Sequence, residues 1–300
     1  MRARMNRLPS RVAAAALALG LCLGHAHAGP GLTAANFVDI GDSVSQLLDT
    51  TDLAFATLMM GSAAPPASPH NASLNAPGAP AMLARPQKFK GSCPGGGAVV
   101  IDALDADADG DLSVGDRFKI NFKSCGVEGD TVSGHGEFVV AAHRFEGMNE
   151  ITELEFRFDA LGSAKMRWTG AARAAVRSDL RRGTESYVVT YQDLAVTRGT
   201  HAMRWNFSVD MVRPPIGNQL ASVQGAMTVD GLLLQLRQDE PFVIAPDGHP
   251  RSGQVTARDK QGARLQIEAL RRRYAYRYFR AGNDDETADA ASESKPYGSR

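Results

Sequence analysis

The sequence predicts a mainly β protein, built as a curved antiparallel sheet or open barrel with an N-terminal helical segment. Apolar and polar residues alternate with a period of two through most of residues 88–280, as in strands that have one dry and one wet face. Turn sequences such as Asp230-Gly231 and Gln261-Gly262 separate these runs. Residues 29–60 instead show a helical apolar period. A two-sheet β-sandwich is the alternative architecture.

The alternating runs predict about ten strands. A sheet of this length with one apolar face must curl or be covered by a second layer. The helical segment, with Phe37, Ile40 and Val44 on one side, is the spare apolar element that could cover it. The clearest apolar runs are Phe118, Ile120 and Phe122; Leu154, Phe156 and Phe158; Met203, Trp205, Phe207, Val209 and Met211; Leu232, Leu234 and Leu236; and Tyr274, Tyr276 and Tyr278.

Residues 1–28 match an export signal. Arg2, Arg4, Arg7 and Arg11 precede an apolar run at residues 12–24, and Ala26-His27-Ala28 supplies a small-x-small cleavage pattern. We expect cleavage near Ala28 and a periplasmic or secreted location. An uncleaved anchor or an amphipathic core helix is the alternative. No other stretch is long and apolar enough for a transmembrane span, so we expect none.

Two further segments differ in composition from the predicted sheet. Residues 61–87 are rich in Pro, Ala and Ser without periodicity, which predicts a linker. Residues 281–300 are acidic and rich in small residues, which predicts a disordered tail. The domain organisation is therefore a signal at 1–28, a helical segment at 29–60, a linker at 61–87, a β domain at 88–280 and a tail at 281–300.

Charge argues against nucleic acid as a partner. The chain has 33 basic and 33 acidic residues. The charged residues within 1–28 are all arginines, so removal of this segment leaves a small excess of acidic residues. No basic stripe is present.

Residues 105–116, DADADGDLSVGD, suggest a Ca²⁺ loop. Carboxylates at alternating positions place oxygen ligands on one side of a tight turn, and the central glycine allows a positive φ. Leu112 is expected to dock the loop on the core. A solvated acidic turn without an ion is the alternative, although five neighbouring carboxylates would repel each other without a cation. The predicted ligands are Asp105, Asp107, Asp109, Asp111 through its carbonyl, Ser113 directly or through water, and Asp116.

The cysteines predict a disulfide at the base of this loop. Only Cys93 and Cys125 remain after cleavage of the signal, and an oxidising compartment favours pairing them. With strands at 98–103 and 117–124, a hairpin would bring the two cysteines together. Two unpaired thiols are the alternative.

The twelve loop residues resemble EF-hand and dockerin-type calcium loops. The stretch from Cys93 through the loop to Cys125 is similar to a hairpin in uncharacterised exported β-rich proteins of Gram-negative bacteria, where a cysteine, a strand, a D-x-D-x-D-G-x-L-S-x-G-D turn, a strand and a second cysteine follow one another. The resemblance implies an envelope location and carries no known chemistry.

The sequence contains no G-x-S-x-G elbow, P-loop or H-E-x-x-H motif, so we predict that the protein is not an enzyme. The predicted function is that of an exported envelope protein with a structural Ca²⁺ of weak affinity in a disulfide-stapled β-hairpin. The alternative is a periplasmic carrier that holds a lipid or other apolar ligand between helix and sheet. The expected partners are an envelope component, a lipid or a polysaccharide.

Overall fold

A computed structural model of the chain describes residues 31–45, 87–93, 95–109, 112–127, 130–246, 249–271, 273–282 and 291–296. These residues form one short helix and fourteen β-strands, which confirms the mainly β prediction. The predicted signal, most of the predicted linker and residues 46–60 of the predicted helical segment lie outside the described residues.

The strands follow one another along the chain, and short turns join most of them, with longer connections at residues 105–116 and 280–290. Helix α1 comprises residues 37–45. The strands are β1 (Gln87–Ser92), β2 (Ala98–Leu104), β3 (Arg117–Val127), β4 (Asp130–Glu146), β5 (Asn149–Gly162), β6 (Met166–Asp179), β7 (Thr184–Arg198), β8 (His201–Arg213), β9 (Gln219–Val229), β10 (Leu232–Ile244), β11 (Pro250–Arg258), β12 (Arg264–Leu270), β13 (Arg273–Phe279) and β14 (Ala291–Pro296).

All fourteen strands belong to one antiparallel sheet, in which their order equals their order in the chain. The prediction of one antiparallel sheet is thus confirmed, and the described strands do not form the alternative two-sheet sandwich. Short turns explain the order, because a tight turn returns the chain beside the strand it has just left. At the β9–β10 turn, for example, Asp230 and Gly231 both have positive φ, and the Asp230 carboxylate accepts a hydrogen bond from the Ala202 amide at 2.8 Å.

One face of the sheet is buried over most of its length. In β8, Met203, Trp205 and Phe207 are buried while the residues between them are exposed. In β7, the register shifts between Thr190 and Leu194, so burial passes from odd-numbered to even-numbered positions. A β-bulge of this kind keeps the apolar residues on one face while the strand bends.

A hydrogen-bonded turn at residues 33–36 leads into helix α1. The Thr33 hydroxyl accepts a hydrogen bond from the Ala35 amide at 3.3 Å, and the Asn36 side-chain oxygen accepts one from the Thr33 amide at 2.8 Å. The Phe37 amide at the start of the helix donates to the Thr33 carbonyl at 3.1 Å. These bonds provide partners for amides that a helix start would otherwise leave without them.

The helix packs against β13. The Tyr276 hydroxyl donates to the Asp42 carboxylate at 2.9 Å and lies 3.1 Å from the Ser45 hydroxyl. The rings of Phe37 and Tyr278 lie 6.1 Å apart. Gly41 is placed over Tyr276 so closely that a Cβ there would lie 2.9 Å from the ring. The described helix therefore covers one end of the sheet's apolar face, with a glycine at the closest point.

The structure differs from the prediction at both ends of the sheet. Strand β1 begins at Gln87, which was assigned to the linker, and β14 (Ala291–Pro296) lies within the tail predicted to be disordered. Both pair by backbone hydrogen bonds with a neighbour, β1 with β2 and β14 with β13. Edge strands need no apolar alternation to pair in this way, which explains the larger number of strands. No helix among the described residues has the length and apolar character needed to cross a bilayer.

Replacement of Gly41 tests the close approach of helix and sheet. Gly41→Ala should lower the free energy of unfolding by about 1–3 kcal/mol, because the added methyl group presses into the buried Tyr276 ring. At an exposed helical position the same change would stabilise by up to about 1 kcal/mol. Denaturant unfolding measures the difference, with Asp39→Ala at an exposed position of α1 as the control. A stabilised Gly41→Ala protein would contradict this packing.

Candidate metal site

The acidic loop connects two paired strands. Strands β2 and β3 are antiparallel, and their register runs from Ala98 opposite Lys123 to Leu104 opposite Arg117. Residues 105–116 therefore form the connection of a β-hairpin, as the sequence predicted. The end of the loop is tied to β4, since the Gly115 amide donates to the Val140 carbonyl and the Val140 amide donates to the Asp116 carbonyl, both at 2.9 Å.

Three aspartates meet at the tip of this hairpin. One carboxylate oxygen from each of Asp105, Asp107 and Asp109 lies within 4.8 Å of the other two. Asp105 accepts a hydrogen bond from the Ala108 amide at 2.6 Å, and Asp107 accepts one from the Asp109 amide at 3.4 Å. These short-range bonds curl the backbone and hold the carboxylates on the same side of the turn. The cluster is a set of hard oxygen donors, which suits a divalent cation such as Ca²⁺.

Asp116 has a different environment. Its side chain is buried, with only 2% of the residue exposed, and its two oxygens accept hydrogen bonds from the amides of Ala106 and Ser113, both at 2.8 Å. The Ser113 hydroxyl donates to the same carboxylate at 3.2 Å. Asp116 thus joins the start of the loop to its end. It was predicted as a ligand of the ion, and its observed contacts are with the loop itself.

Hydrogen bonds favour the charged form of one carboxyl in the cluster, that of Asp107. Burial acts to raise the pKa of the Asp107 carboxyl, but the nearby Ser113 side chain and a hydrogen bond from the Asp109 backbone amide outweigh it. The pKa of Asp107 therefore lies below its ordinary value of 3.8. A lowered pKa keeps the carboxylate ionised, which is the form that binds a cation, to lower pH than in an isolated aspartate.

The disulfide lies at the other end of the same hairpin. Cys93 and Cys125 are bonded, with their Cα atoms 5.3 Å apart, so the predicted pairing is confirmed. Cys93 follows β1, and Cys125 lies near the end of β3. A glycine turn beside the disulfide joins β1 to β2. In this turn Gly97 has a φ of 77°, and a Cβ at Gly97 would lie 1.9 Å from the carbonyl oxygen of Ser124. Only glycine fits this corner.

Some predicted loop residues are placed differently, and some are outside the described chain. Leu112 was expected to pack on the core, but it is exposed. The buried anchor of the loop is Asp116 instead, and the spacing of carboxylates could not reveal which of them points inward. Gly110 and Asp111 lie outside the described residues, so the predicted carbonyl ligand of Asp111 stays a prediction.

The predicted carrier cavity is not favoured by the packing of the dry face. Met203, Trp205, Phe207 and Leu234 all belong to one buried core cluster. Trp205 lies 5.3 Å from Phe207 and 5.2 Å from Tyr191, measured between ring centroids, so these side chains fill space beside one another.

No protein-family model, no curated protein and no solved structure matches this chain. What the loop does is therefore inferred from its own residues.

A pair of substitutions separates the two kinds of aspartate in the loop. Asp116→Asn should lower the free energy of unfolding without calcium by about 1–3 kcal/mol, because the side-chain amide keeps only one oxygen, and its NH₂ group then faces one of the two backbone amides that the buried carboxylate accepts from. Asp107→Asn should leave it unchanged or raise it, because it removes one of three adjacent negative charges. Unfolding in chelator measures both. Equal losses in the two variants would mean that Asp116 has no special role.

Proposed function

We propose that the protein is an exported, non-enzymatic envelope protein in which residues 105–116 bind Ca²⁺ as a structural ion. The observation that carries the proposal is the meeting of the Asp105, Asp107 and Asp109 carboxylates within 4.8 Å of one another. The ion binds at the tip of the β2–β3 hairpin, and the disulfide staples the base.

Repulsion between the carboxylates supports a cation at this position. Two charges at such separations repel by about 1–4 kcal/mol, depending on how much water surrounds them. The hairpin nevertheless holds three of them together, through the Asp116 hydrogen bonds on one side and the β4 contacts on the other. Neutralisation by a divalent ion removes this repulsion, so the bound ion stabilises the folded loop.

The donor set favours Ca²⁺ over softer metals. All three ligands are carboxylate oxygens, and no histidine or cysteine belongs to the described cluster. The affinity is in the weak class, with Kd about 10⁻⁴–10⁻³ M, because Asp107 and Asp109 are exposed and the Asp116 oxygens already accept bonds from the loop backbone. A Kd in this range is typical of calcium sites in extracellular proteins, which agrees with export.

The disulfide and the predicted export signal support a periplasmic or secreted location. A disulfide between Cys93 and Cys125 persists in an oxidising compartment such as the periplasm. Its 32-residue separation contains the whole loop, so the bond restricts the unfolded hairpin and stabilises by about 4 kcal/mol in the chain-entropy model.

Calcium should raise the stability of the folded protein. At ten times Kd, binding adds about 1.4 kcal/mol by mass action. The melting temperature should therefore rise by about 3–5 °C with calcium and return with chelator. Differential scanning calorimetry over a calcium titration to about 10 mM measures the shift, since that range exceeds the expected Kd.

Two controls make this result specific. Asp107→Asn should abolish most of the shift, whereas Asp239→Asn, which changes a carboxylate on β10 far along the chain from the loop, should keep it. Magnesium should act much more weakly, because its smaller ion requires near-octahedral geometry. An unchanged melting temperature in the wild-type protein across the titration would remove calcium from the account.

A further inference from the structure

Three hairpin turns at one edge of the sheet carry exposed apolar side chains. The turns β4–β5, β6–β7 and β8–β9 lie at the same edge of the sheet, because alternate turns of an antiparallel meander return to the same side. Phe145 is 62% exposed, Met148 and Leu180 are each 53% exposed, and Ile216 is 90% exposed. Each of these large apolar side chains leaves more than half of its surface in water, and such a group of exposed apolar residues points to an external contact.

The three tips form one surface. The Leu180 amide donates to the Met148 carbonyl at 3.0 Å, which joins the first two turns. A Cβ at Gly183 would lie 3.5 Å from Pro215, so the second and third turns also touch. We call residues 144–149, 179–184 and 213–219 the hairpin-tip surface.

This surface has an excess of positive charge. Its residues include four arginines and two carboxylates, although the whole chain is balanced at 33 of each sign. Arg144 is paired with Glu146 and with Glu153 of β5, so the net positive charge comes from the β6–β7 turn and from Arg213.

The Asp179 carboxylate is folded into its own turn, where it accepts hydrogen bonds from the amides of Arg181 and Arg182, both at 3.0 Å. The Arg182 side chain is 80% exposed, although its Nε lies 3.9 Å from the same carboxylate, and Arg181 is exposed as well. Both arginines are therefore accessible to an external anion beside the apolar side chains.

We propose that the hairpin-tip surface docks on an anionic lipid bilayer. Apolar tips can enter the region between headgroups and acyl chains, while neighbouring arginines meet lipid phosphates. A second copy of the chain is a poorer occupant, because a self-complementary contact would bring arginines against arginines. The docking is peripheral, and it does not depend on the proposed calcium site.

Vesicle flotation tests the proposal. Every variant is expressed in the same host from the full sequence, so that all of them have the same N-terminus. The buffer contains chelator, so that calcium does not bridge protein and lipid. It should float with vesicles of phosphatidylglycerol and phosphatidylcholine, and much less with phosphatidylcholine alone. The double variant Arg181→Gln, Arg182→Gln should lose about fivefold in partitioning for each arginine. Leu180→Ser with Ile216→Ser should lose about tenfold or more.

A matched control removes apolar surface elsewhere. Val188 and Val212 are 42% and 43% exposed and lie within strands β7 and β8, outside the hairpin-tip surface, so Val188→Ser with Val212→Ser should float like the wild type. Thermal unfolding verifies that each variant is folded, and the arginine variant tests the proposal even if the apolar one fails to fold. Absence of wild-type flotation, or equal losses in the control, would overturn the proposal. So would a dimer in sedimentation velocity that the tip substitutions dissolve.

Discussion

An antiparallel sheet with one wet face must keep its other face away from water, and the rest of this structure depends on that constraint. Each strand places alternate side chains on the dry face, and each large one contributes roughly 1.5–3 kcal/mol when buried. The bulge in β7 keeps apolar residues on that face while the strand bends. The contact of α1 with Tyr276 covers part of it, and Gly41 allows the helix backbone to approach the Tyr276 ring.

Much of this fold could be predicted from the sequence, because the direction of a side chain in a strand follows from its position alone. The run from Met203 to Met211 is an example, since every second residue is buried as the alternation predicted. Strand β14 could not be predicted in this way. Its residues are small or polar, and its place depends on backbone pairing with β13, which leaves no periodic signal.

At the candidate metal site, too, the sequence predicted features set by neighbouring residues and missed those set by distant contacts. The D-x-D-x-D spacing predicted that Asp105, Asp107 and Asp109 lie together, because a tight turn brings alternate residues to one side. The inward direction of Asp116 depends on the amides of Ala106 and Ser113 and on the pairing of the loop end with β4. These contacts need the folded sheet. They divide the loop into a buried carboxylate that shapes it and exposed carboxylates that meet solvent.

The central claim is that the exposed carboxylates hold a calcium ion, and locating the ion tests it most directly. Crystals grown in calcium chloride should show one anomalous peak at the tip of the β2–β3 hairpin. Oxygens of Asp105, Asp107 and Asp109 should lie about 2.3–2.6 Å from it, the usual range for calcium. An ordered loop without a peak, or a peak held only by other residues, would contradict the account.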